Sequence, residues 1–159
     1  MMKEIPWKTY LFYVLSAEAV GALSGWLTRT GTKIFSTTVE KPPLTPPPAV
    51  FPIVWGILFA LMGIGGAMVS LAPGTWRRRV ALGLYWIQLG FNFLWSILFF
   101  NLQSYLLSFC WLAALWGLIV WMTLTFYEIR TTAAWLQVPY LLWVLFAGYL
   151  NYGVWRLNP

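Results

Sequence analysis

The sequence predicts an all-α integral membrane bundle of five transmembrane helices. Three observations carry this. Of the 159 residues, 60% are hydrophobic and only 9% are charged, too little charge to cover a water-facing surface. The apolar residues gather in five runs, each near the roughly 20 residues that cross a bilayer core. The runs are continuous rather than alternating, which disfavours a membrane β-barrel. The length suits a single domain over 1–159.

The first span runs over 9–28. Lys3 and Lys8 precede it, it contains Glu18, and it lacks a small-residue cleavage site, so it reads as a retained helix rather than a cleaved signal peptide. The second covers 50–71 and ends at Ala72-Pro73-Gly74, followed by Arg77-Arg78-Arg79. That basic run reads as a loop anchor under the positive-inside rule, not as a nucleic-acid site. The third covers 80–100, and Asn101-Leu102-Gln103-Ser104 forms a tight turn with Ser104 placed to cap the fourth span, 104–127. The fifth covers 133–155, where Pro139 is expected to kink the helix. Six basic residues (Lys3, Lys8, Arg77, Arg78, Arg79, Arg130) fall on one face and four (Arg29, Lys33, Lys41, Arg156) on the other, favouring a cytoplasmic N-terminus.

Only the first connection, 30–48, is long, and long loops in compact folds are often functional. Pro42, Pro43, Pro46, Pro47 and Pro48 exclude regular helix there. Trp55 follows at once, so the segment reads as a stiff lid over a pocket.

The composition also removes whole classes of chemistry. There is no histidine and a single cysteine, Cys110. No disulfide framework, no metal site and no histidine-ligated haem is expected, and no cofactor.

Twelve tryptophans dominate what remains. Trp7, Trp26, Trp76, Trp135 and Trp155 fall near span ends, where indoles anchor at the interface. Of the deeper ones some face lipid or simply pack, each is costly unless its indole N–H finds a partner, and a cluster of them is placed to line an apolar cavity for a flat ligand. Gln88, Asn92, Trp95 and Phe99 share one face of the third span, and Tyr140, Trp143, Ala147 and Asn151 one face of the fifth. Amides in hydrocarbon need partners, so the first face points into the bundle, either for inter-helix hydrogen bonds or as a polar handle in an aromatic pocket. Glu18 is the one acid well inside a span, a functional candidate or a hydrogen-bonded structural residue. Ala17, Gly21 and Gly25 form a small-residue stripe for close helix approach. Leu150, Tyr152 and Arg156 fit a loose sterol-contact pattern, which taken alone reads more simply as a helix end with its tyrosine and arginine at the headgroups.

Lys41-Pro42-Pro43-Leu44-Thr45-Pro46-Pro47 with Phe51-Pro52-Ile53-Val54-Trp55, Gln88 to Trp95 with Phe99-Phe100, and Pro139 to Trp143 through Asn151-Tyr152 and Trp155-Arg156 together resemble the TspO/MBR family, in order and over nearly the whole chain. The resemblance implies a five-helix bundle, commonly a homodimer, that binds porphyrins, benzodiazepine-type ligands and in some members sterols beneath the first loop. It implies Trp55 and Trp143 as pocket walls, Asn92 as a hydrogen-bond donor to ligand, Ala147 in the floor, and Trp95, Leu150 and Pro47 as further ligand contacts. Two positions depart from the common pattern. Leu44 stands where many members carry tryptophan, and Trp111 stands where many carry an acid.

Three functions follow as expectations. The first is a receptor or carrier for porphyrins and other flat hydrophobic ligands in a bacterial cell membrane, with Arg29, Lys33 and Lys41 near ligand carboxylates. The second is light-dependent protoporphyrin degradation, with Trp55 and Trp143 as its reactive residues. The third is a ligand sensor that signals through a protein partner at Arg77–Arg79.

Overall fold

A chain segment in hydrocarbon must satisfy its own backbone N–H and C=O groups, so each apolar run folds as helix. The computed structural model describes residues 6–159. In chain order the helices are α1 (Trp7–Leu27), α2 (Arg29–Thr38), α3 (Val50–Ser70), α4 (Trp76–Ser96), α5 (Tyr105–Ile129), α6 (Thr131–Trp135) and α7 (Val138–Leu157). Five spans are long and apolar enough to cross a membrane, with α6 and α7 forming the last. The chain is a multi-pass integral membrane protein. Because the number of crossings is odd, the α1–α3 connection and the end of α7 lie on the same face.

Helix α1 packs along α3, α4 along α5, and α5 along α7. Between them Met62, Tyr85, Leu115, Met122, Phe126 and Tyr140 are fully buried. The outer faces carry residues such as Phe12, Ile57, Leu124 and Leu145, exposed because their solvent is lipid. Trp7, Trp26, Trp76 and Trp135 are exposed at helix ends, as interfacial anchors require. Ala17 and Gly21 of the small-residue stripe serve packing inside the bundle, while an added Cβ on Gly25 would meet nothing within 4 Å. Ala17 is fully buried, and a Cβ on Gly21 would come within 2.5 Å of the Phe59 ring of α3.

Four local expectations are corrected. The 30–48 connection is not all loop, since α2 fills its first half. No proline precedes Pro42 in this stretch, and Gly31, Phe35 and Val39 turn inward at four-residue spacing while polar residues face out. Its hydroxyls bond back one turn, Ser36 to Thr32 O at 3.0 Å and Thr38 to Ile34 O at 2.7 Å. Pro139 does not kink a continuous fifth helix. The helix breaks at Leu136-Gln137, and Pro139 sits in the first turn of α7, where its missing N–H costs nothing. The arginine run is the first turn of α4 rather than a free loop. Within it Arg78 Nη1 donates to Ser70 O at 3.1 Å and Ala72 O at 2.9 Å, closing the end of α3. Ser104 occupies the N-cap position of α5, but its side chain accepts no helix amide. Lys3 lies outside the described residues.

Helix α4 ends in a π-helical turn, Ile97–Asn101, with one extra residue per turn. That turn carries Phe99 and Phe100 against Phe35 of α2, at ring separations of 5.3 and 5.5 Å.

Candidate functional site

Beneath the proline segment lies a cavity of about 690 Å³, walled by α1, α3, α4 and α7 and roofed by α2 and residues 41–48. Two helix faces read from the sequence meet in it. Asn92, Trp95 and Phe99 enter from α4, and Trp143, Ala147 and Asn151 from α7. Trp55 enters from α3 and Leu150 from α7. Of the seven residues that the resemblance implies as ligand contacts, Pro47 alone is outside the lining, while Pro46 and Pro48 are part of it. Pro47 turns its carbonyl to Val50 N at 3.0 Å, starting α3.

The aromatic wall is built by periodicity. Phe51, Trp55 and Phe59 recur every fourth residue on α3 and all reach the cavity. Trp55 leans on Phe59 at 5.6 Å and meets Tyr140 edge-on at 6.2 Å, and Phe51 meets Trp143 edge-on at 6.0 Å. Phe51 and Phe59 were not singled out in the sequence, although their spacing from Trp55 signals them. The Trp143 indole N–H is buried without a partner among the described residues.

The polar residues divide into structure and site. Asn92 Nδ2 donates to the Tyr140 hydroxyl at 2.8 Å, which donates to Gln88 Oε1 at 2.7 Å. Gln88 is fully buried and its amide reaches Met62 Sδ at 3.6 Å. Gln88 is therefore an inter-helix brace outside the cavity. Asn92 is both, held by Tyr140 yet part of the lining. Trp95 Nε1 donates to Asn151 Oδ1 at 3.0 Å, and Asn151 Nδ2 donates to Tyr105 O at 2.8 Å, so α4, α7 and α5 are pinned together along this wall.

Charges sit at two levels. Arg29 and Lys41 line the lid end, and Glu18 lines α1 deeper in the bundle. Lys33 is exposed and outside the lining. Glu18 has neither ion pair nor side-chain hydrogen bond among the described residues, where the single salt bridge is Arg77–Glu128 at 3.6 Å.

The lid is latched to α7. Glu40 N donates to Asn158 Oδ1 at 3.2 Å, Asn158 Nδ2 donates to Glu40 O at 2.8 Å, and the Tyr149 hydroxyl donates to Pro43 O at 2.9 Å. A Cβ on Gly153 would fall 2.5 Å from Pro42, so glycine is what lets the lid seat. Leu44 points away from the cavity, 79% exposed with a φ of 70°. Trp111 is outside the cavity lining. It stacks on Phe91 at 4.3 Å and donates to Phe91 O at 2.9 Å, stapling α5 to α4. The sterol pattern is split between faces. Leu150 lines the cavity, whereas Tyr152 packs outward on Phe109 at 5.5 Å and the Arg156 guanidinium lies over Trp155 at 5.7 Å.

A five-helix, tryptophan-rich membrane protein with a lidded aromatic cavity is the class that fold and site define. Residues 13–156 match the model of the TspO/MBR family. The chain is 41% identical to the tryptophan-rich protein TspO of Chlorobaculum tepidum, across 89% of this chain and 90% of the relative. It is 35% identical to the tryptophan-rich protein TspO of Archaeoglobus fulgidus, across 91% and 94%. It is 32% identical to the translocator protein of Bos taurus, across 96% and 92%. The chain belongs to the TspO/MBR family.

Proposed function

We propose that this protein is a membrane receptor or carrier that takes porphyrins and similar flat hydrophobic ligands into the lidded cavity. The observation that carries the reading is the convergence of Trp55, Asn92 and Trp143 on one enclosed space of about 690 Å³. That volume lies in the range of small-molecule sites, which are mostly apolar with a few placed polar groups. In this reading the indoles sandwich the macrocycle, Asn92 donates to it, and Ala147 leaves room beside Trp143. Arg29 and Lys41 meet ligand carboxylates at the lid. Titration with protoporphyrin IX is expected to quench tryptophan fluorescence saturably. Quenching that never saturates, or that is unchanged in a Trp143→Ala plus Asn92→Ala variant, removes the reading.

Light-driven porphyrin breakdown is a second reading, supported by the placement of both Trp55 and Trp143 on the cavity. It requires illuminated complex to yield products beyond the bleaching of free porphyrin. We also propose a homodimer in a bacterial cell membrane with a cytoplasmic N-terminus. Gly83 and Gly90 lie open on the outer face of α4 beside Ile87 and Leu94, a flat stripe suited to a second copy. A single-protomer mass from native membrane extracts removes the dimer. Labelling of cysteines introduced beside Lys8 and Arg156 in intact bacterial cells tests the membrane and the orientation.

A further inference from the structure

Glu18 is a carboxyl with no assigned work. It lines the cavity from α1, and none of its side-chain oxygens pairs with a cation or donor among the described residues. The two cations of the lining are held elsewhere. Arg29 Nη1 donates to Trp26 O at 2.6 Å with its guanidinium 4.4 Å from the Trp26 ring centre. Lys41 Nζ donates to Val39 O at 3.0 Å and Ser36 O at 3.3 Å. A partly buried carboxyl within a membrane span is costly without a partner, and a ligand that brings its own counter-charge removes that cost.

The surroundings of Glu18 specify that counter-charge. Gly21 lies one turn along the same face of α1, and the Phe59 ring abuts it, so close that a Cβ there would meet Phe59 Cε2 at 2.5 Å. Trp55 continues the aromatic surface from Phe59 at 5.6 Å. Glu18, Phe59 and Trp55 all line the one cavity, and a carboxyl that shares a cavity with aromatic faces is the chemistry that recognises an alkylammonium group. The carboxylate takes a charge-assisted N–H bond, and the rings hold the remaining cation surface. The rest of the cavity is apolar and flat-walled, which suits an aromatic body on the same ligand.

We propose that Glu18, with Phe59 and Trp55, makes this cavity select ligands that join a protonated amine to a flat aromatic ring system. The inference rests on the cavity being a ligand site, but not on porphyrin being the ligand. Its test is a matched pair, naphthylmethylamine and ethylnaphthalene, which share shape and differ in the terminal ammonium against methyl. Each is titrated calorimetrically into detergent-solubilised full-length protein, with empty micelles subtracted. Wild type is expected to bind the amine about tenfold or more tightly than the hydrocarbon. Glu18→Gln is expected to bring the ratio near one by weakening the amine alone. Equal binding of both probes by wild type overturns the inference while leaving the cavity intact as a ligand site. A preference that survives in Glu18→Gln overturns it as well. Binding of neither probe overturns it too, and the porphyrin titration then decides the cavity separately. Glu18→Asp, which keeps the charge and shortens its reach, covers the case in which the glutamine variant does not fold. A full wild-type preference in that variant, with wild-type affinity for both probes, counts against the placement of the carboxyl beside Phe59.

Discussion

Tyr140 is the residue on which two buried amides depend. Its hydroxyl accepts from Asn92 and donates to Gln88, and all three side chains are at most 4% exposed. Tyr140→Phe keeps the ring and its edge contact with Trp55 but strands Gln88 Oε1 and an Asn92 proton. The expected loss is about 2 kcal/mol, the cost of leaving buried polar groups unmade. A lowered unfolding temperature in detergent reads it directly, and an unchanged temperature means the network contributes nothing. Leu44 calls for the opposite change. A leucine at a φ of 70° is strained by its own Cβ, and its side chain, 79% exposed, has little packing to lose. Leu44→Gly is expected to stabilise by about 1 kcal/mol. The same thermal measurement tests it, and Leu44→Val should shift it the other way.

At the scale of elements, the arginine run shows how equal charges do unequal jobs. Arg78 donates to the carbonyl of Ser70, the last residue of α3, and to that of Ala72 just beyond it, whereas Arg77 pairs with Glu128 while both are more than half exposed. Arg78→Ala is expected to cost about 2 kcal/mol, because a charged donor leaves carbonyls at a helix end unserved. Arg77→Ala is expected to change stability by less than about 0.5 kcal/mol. Denaturation of the two variants side by side checks the contrast, and equal losses defeat it. Composition cannot see this difference, since it depends on which arginine faces back toward α3. The five spans were legible because hydrocarbon thickness dictates their length. Helix α2 was hidden by its proline neighbours, although Gly31, Phe35 and Val39 already carry its inward stripe. The break before Pro139 was misplaced by one turn because proline is tolerated in a first turn and disruptive only in an interior.

The whole molecule adds long-range pairings that no local pattern announces. The cavity walls were legible, because helical spacing put Asn92 and Trp95 on one face and Trp143 and Ala147 on another. Pro47 was not separable from Pro46 and Pro48, since a non-helical proline run does not declare which rings face inward. The latch was invisible for a different reason: Glu40 and Asn158 are 118 residues apart and meet only because an odd number of crossings returns the chain end to the lid. That topology makes lid opening a property of the C-terminal turn of α7 rather than of the lid's own sequence. On the proposed function a ligand leaves when the roof lifts, and the bonds that hold the roof shut then set its residence time. Asn158→Ala removes two bonds to Glu40, each contributing about 1 kcal/mol. Gly153→Ala pushes on Pro42 from beneath. Together they are expected to raise the dissociation rate of protoporphyrin IX on the order of tenfold. Association should change far less, because the walls that hold the ligand are untouched. Stopped-flow displacement followed through tryptophan emission separates the two rates. A dissociation rate equal to wild type would mean that ligand leaves sideways between helices, and that the proline roof is a wall rather than a lid.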